Sequence, residues 1–67
     1  MLRRYEFKEC ECAIVDCKTI IKIPSGIWPV MEDTFSCEIL INRRPYELHK
    51  KGFIDLIKQE KAIPVSH

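Results

Sequence analysis

The apolar positions near the start of the chain alternate with polar ones, but the alternation slips once. Tyr5 and Phe7 fall on one side of an extended backbone, whereas Cys10, Cys12 and Ile14 fall on the other. A strand whose apolar side changes midway predicts a bulge or bend near Lys8-Glu9. From Lys18 to Ile23 the alternation is clean and rich in β-branched residues, and Pro24 ends it. The link from Val15 to Lys18 is short, so the first two strands are expected to pair as an antiparallel hairpin.

Residues 24–33 contain Pro-Ser-Gly and Trp-Pro and read as a loop over the edge of the fold. Phe35, Cys37, Ile39 and Ile41 then line one side of a third strand. Asn42-Arg43-Arg44-Pro45 has the composition of a tight turn. Tyr46 and Leu48 continue as a short fourth strand, at an edge because Pro45 lacks an N–H. From Phe53 to Lys61 the spacing turns helical, with Phe53, Ile54, Leu56 and Ile57 on one side. Pro64 stops the helix and pushes Ile63 into an extended conformation. The expected architecture is α+β, one domain over residues 1–67, with a four-stranded antiparallel sheet and one C-terminal helix on one face.

That architecture leaves apolar residues over. A single helix of about three turns covers one face of a four-stranded sheet. Ile20, Leu40 and Trp28, with Tyr5 and Phe7, exceed what it can shelter. Either the 24–33 loop folds over them with Trp28 as its anchor, or the surface belongs to a homo-oligomer or another protein. Small domains often supplement a thin core in this second way.

Composition narrows the classes. Eleven Lys and Arg against ten Asp and Glu give a formal charge of +1. This argues against a domain built on non-specific phosphate attraction and against an acidic nucleic-acid mimic. Apolar runs such as Ala13–Val15 and Ile39–Ile41 are far too short for a membrane span or a signal peptide, so a cytoplasmic, non-membrane protein is expected.

Three features bear on chemistry. Cys10, Cys12, Cys17 and Cys37 could form a zinc-stapled module, with His49 and His67 as further ligands. Yet tetrahedral thiolates sit about 3.8 Å apart, whereas residues i and i+2 of a strand are about 6.6 Å apart. No C-x-x-C pair is present, so small buried apolar residues are the simpler role and no cofactor is expected. Second, Arg43, Arg44, Lys50 and Lys51, with His49, form a basic cluster ending just before the helix. Lysines there oppose the helix macrodipole, which a bound anion or nucleic acid would reconcile. A solvated turn is the plainer account. Third, there is no glycine-rich phosphate loop, G-x-S-x-G or H-E-x-x-H, and no cysteine is marked as activated, so no enzyme is expected.

The leading expectation is a small regulatory module, of the inhibitor or adaptor type common in bacteria and phages. It would act by docking on a protein and would itself be a homo-oligomer. Trp28, Ile27, Arg43, Arg44 and Tyr46 are the candidate contacts, since Trp, Tyr and Arg dominate binding hot spots.

Overall fold

A computed structural model describes residues 1–65. It contains β1 (Leu2–Phe7), β2 (Cys10–Ala13), β3 (Ile20–Ile23), β4 (Gly26–Glu32), β5 (Cys37–Ile41), β6 (Arg44–Glu47), α1 (Lys50–Lys58) and β7 (Ala62–Pro64). The α+β class holds, but the sheet is not four-stranded. A five-stranded sheet has the order β6-β5-β4-β1-β7, and β2 pairs with β3 separately.

The slip between Phe7 and Cys10 is therefore a change of sheet. Tyr5 and Phe7 face the core from β1, the chain turns at Lys8-Glu9, and Cys10 and Cys12 face the same core from β2. The expected β2–β3 hairpin is present, with Cys10 opposite Ile23 and Ala13 opposite Ile20. Its connection needs no Asn-Gly, because the Asp16 carboxylate accepts the N–H groups of Lys18 at 2.8 Å and Thr19 at 2.9 Å.

Residues 26–32 are the largest correction. They form the central strand of the sheet, with Arg3 opposite Val30 and Val30 opposite Ile39. Pro29 is tolerated for a geometric reason. The Val65 N–H donates to the Arg4 carbonyl, so the backbone groups of Arg4 face β7. Pro29 lies opposite Arg4 and hence turns its own backbone away from β1. On its other side the pairing with β5 stops at Val30, so the missing N–H breaks no ladder bond.

Phe35 is also corrected. It sits in the turn between β4 and β5, closed by the Asp33 N–H donating to the Ser36 carbonyl, and is 92% exposed. Cys37, Ile39 and Ile41 do line the inner side of β5. The next turn is tighter than expected: Asn42 and Arg43 alone form it, at φ 50° and 70°, and Arg44-Pro45 already belong to the edge strand β6. Two successive positive φ values between paired strands are the signature of a type I′ hairpin.

The helix begins three residues before the expected start. Lys50 and Lys51 lie in its first turn, and Gly52 lets it pass close to β2, where an added Cβ would meet Cys12 Sγ at 3.2 Å. It ends early because Glu60 adopts φ 60°, and the Glu60 and Lys61 N–H groups donate to the Ile57 and Leu56 carbonyls. The released chain becomes β7, pairing Ala62 with Phe7 and Pro64 with Tyr5.

The core lies on one side of the sheet. Phe53 of α1 packs edge-on against Tyr5, with ring centroids 5.1 Å apart, and also lies beside Phe7. Val30, Cys37, Ile39, Leu48 and Leu56 surround these rings, and Ile23, Cys10 and Cys12 close the layer from the hairpin. The hairpin is tied to the chain after β6, through an Ile14–Leu48 bridge and the His49 N–H donating to Ala13. Tyr5 and Phe7 are thus fully used by the core, contrary to the expectation that they are surplus.

Candidate functional site: the outer face of the sheet

Helix and hairpin both occupy the inner face, and no other element among residues 1–65 crosses the outer one. Strand alternation fixes what that face presents. β4 contributes Ile27, Pro29 and Met31, β1 contributes Leu2, Arg4 and Glu6, and β5 contributes Glu38 and Leu40. Pro45 and Glu47 of β6 and Ile63 of β7 complete it. Leu2, Ile27, Met31, Leu40 and Ile63 are each at least 40% exposed. Five large apolar side chains on one continuous sheet form a patch, which isolated surface hydrophobics do not. Ile20, on β3, is also exposed but lies on the other sheet.

The expected contact residues divide between the two faces. Ile27 lies on the outer face. Trp28 points inward, half-buried against the core, and its indole N–H donates to the Pro24 carbonyl at 2.8 Å. Tyr46 packs on the core from β6, opposite Ile39. Arg44, opposite Ile41, shares that inward register, and Arg43 occupies the hairpin tip; both are exposed. Sequence reading missed Leu2, Met31 and Ile63 on the outer face. For Met31 the signal was the apolar alternation 27-29-31, disguised by Pro24 and Pro29; Leu2 and Ile63 carried no such pattern.

The four residues of the basic cluster are not brought together. Arg43 and Arg44 follow the end of β5, whereas Lys50 lies beyond its start, where Leu48 bonds Cys37. Four residues of strand separate those ends by about 14 Å. The Lys50 ammonium also donates to the Asp33 carbonyl at 2.7 Å, which occupies it and explains how a lysine is tolerated in the first helical turn.

The cysteines do not converge either. Cys10, Cys12 and Cys37 are buried, Cys17 is exposed in the β2–β3 connection, and all four are free thiols. Among the described residues no group of three or more His, Cys, Asp and Glu is placed to hold a metal ion, so the four-cysteine zinc site is not formed. His67, the other suggested ligand, lies outside the described residues. Burial first, then the neighbouring Cys10 and Asp55, pushes the Cys12 thiol up to about 11. Burial and then the Glu32 charge push Cys37 up to about 12. Both stay protonated at neutral pH, the behaviour of small core side chains rather than nucleophiles.

No helix among the described residues is long and apolar enough to cross a membrane. No protein-family model, curated protein or solved structure matches the chain.

Proposed function

We propose that the protein is a docking module of the regulator or adaptor kind, and that a protein partner binds the outer face of its five-stranded sheet. The observation that carries this reading is the continuous row Ile27, Pro29 and Met31 along the central strand, flanked by Leu2, Leu40 and Ile63. Covering such a row removes apolar surface from water at about 25 cal/mol per Å², and the exposed Arg4, Glu6, Glu38 and Glu47 supply a charged surround that fixes register.

Ile27→Lys and Met31→Lys test it. Both side chains point to solvent in the isolated chain, so each change should move folding stability by no more than about 0.5 kcal/mol. Each should nonetheless abolish partner binding measured by calorimetry or co-purification. Unchanged binding in both folded variants would remove the outer face as the docking surface. Binding through this face should also survive raised salt, in contrast to phosphate-driven association.

A further inference from the structure

We infer that the groove between β2 and α1 is a separate binding site, which takes an extended peptide segment of a partner by adding it as a strand to the free edge of β2. It stands apart from the outer-face reading, because both of its walls belong to elements packed on the inner side of the sheet.

Strand geometry fixes which backbone groups line this groove. The Ile14 N–H donates to the Thr19 carbonyl at 2.9 Å, so Ile14, Cys12 and Cys10 turn their backbone groups toward β3. Those of Glu11, Ala13 and Val15 therefore turn the other way. On that side the Val15 N–H donates to the Glu47 carbonyl, and the Ala13 carbonyl accepts the His49 N–H. After His49 the chain winds into α1, and the pairing stops. The Ala13 N–H and both backbone groups of Glu11 are left without a hydrogen-bond partner among residues 1–65. Two donors and one acceptor along a strand edge are what the main chain of another strand recognises.

The edge also has room beside it. A cavity of about 460 Å³ is lined by β2 along its length and by Gly52, Asp55, Leu56 and Gln59 of α1. That spacing is one stripe of a helix, so a strand edge forms one wall and a helical surface the other. Four residues of strand span about 13 Å, which suits a segment of three or four residues. Laid antiparallel, one peptide residue exchanges two hydrogen bonds with Glu11, and the residue two before it accepts the Ala13 N–H.

The peptide residue between these two lies level with Cys12 and points its side chain to the same side, toward the helix. There Leu56 supplies an apolar surface, and Asp55 stands beside Cys12 with its carboxylate in no salt bridge among residues 1–65. A lysine or arginine fits that position, its stem along Leu56 and its charge at Asp55. The occupant is thus an extended segment with a basic residue at its centre.

A random hexapeptide library is the probe, and amide exchange of the whole chain followed by NMR is the readout. In the free protein the Glu11 and Ala13 amides should exchange faster than that of Cys12, which β3 protects. Selected peptides should carry Lys or Arg at one position and slow exchange at Glu11 and Ala13 at least about tenfold. Glu11→Pro removes a donor on the side away from β3, leaving the hairpin ladder intact, and should weaken binding at least about tenfold. Glu11→Ala keeps that N–H and should weaken binding no more than about fivefold. Asp55→Asn should erase the preference for Lys or Arg.

A library that yields no peptide binding tighter than about 1 mM, or selected peptides that leave both amides exchanging as in the free protein, would overturn the strand-addition site. If circular dichroism shows Glu11→Pro to be unfolded, exchange in the wild type still decides the matter.

Discussion

The turn between β5 and β6 offers a change that should strengthen the fold while removing a candidate contact. Arg43 holds φ 70° as the second residue of a two-residue turn, directly after Asn42 at φ 50°. Asparagine tolerates this region, but an arginine there carries the Cβ–carbonyl crowding of any L-residue, about 1–2 kcal/mol. Arg43→Gly removes that strain and restores Asn-Gly, the pair this turn favours. Against this, glycine loses about 0.5–1 kcal/mol more backbone freedom on folding. The net expectation is stabilisation of about 0.5–1 kcal/mol.

For 67 residues the unfolding entropy near the midpoint is about 140 cal/mol/K, so the gain corresponds to a Tm rise of roughly 4–7 °C. Thermal and urea melts followed by circular dichroism measure it. Arg44→Gly is the control. Arg44 is an ordinary strand residue opposite Ile41, so glycine there should destabilise by about 0.5–1 kcal/mol. If Arg43→Gly lowered Tm, or the two variants behaved alike, the left-handed turn and the reasoning from it would be wrong. If Arg43 also contacts a partner, Arg43→Gly should weaken binding while Tm rises, a separation that general unfolding cannot produce.

Two further outcomes follow from the core. The Cys12 and Cys37 thiols, raised to about 11 and about 12 by burial, and the Tyr5 hydroxyl, raised to about 12 by burial and by its bond to Glu32, favour their protonated forms in the fold. Stability should therefore be full below the unfolded thiol pKa near 9 and fall as pH rises toward 11–12, by about 1.4 kcal/mol per pH unit for each thiol. Urea midpoints between pH 8 and 11 should show that slope, and Cys37→Ala should reduce it; a flat profile would contradict the burial. Gly52→Ala should gain up to about 1 kcal/mol of helix propensity but press its Cβ on Cys12 Sγ at 3.2 Å. A double-mutant cycle with Cys12→Ala should therefore show Gly52→Ala more favourable once the sulfur is gone, and simple additivity would deny the close approach.

How much of this was readable in the residues follows from which interactions are local. Cys37, Ile39 and Ile41 alternate over a clean strand, and their burial was predictable from spacing alone. The slip between Phe7 and Cys10 was visible too, but not that its second half joins another sheet, because that depends on Leu48 and His49 docking from far along the chain. Pro29 and Gly26 disguised the central strand. Whether a proline damages a ladder depends on which way its nitrogen faces, and that is set by β1, β5 and β7 together. Phe35 fits the alternation of β5 yet falls in the turn, because the Asp33–Ser36 closure claims it first. The basic cluster was contiguous in sequence but divided by the length of β5, a separation that sequence distance does not encode.

The same misplacement of residues 24–33 bears on function. Read as a loop, that segment was the natural cover for surplus apolar side chains, and an interface was only one of two accounts. As the central strand it cannot cover the sheet, since it is the sheet, and it adds Ile27, Pro29 and Met31 to what lies uncovered. Trp28, the expected anchor of a lid, is instead fastened to Pro24 on the opposite side. With α1 and the β2–β3 hairpin both committed inward, an intramolecular cover has no remaining source among residues 1–65. Arg4, Glu6, Glu38 and Glu47 set charge among these exposed apolar residues, which opposes indiscriminate stacking of the face. The face is thus apolar enough to associate and charged in a pattern that limits how.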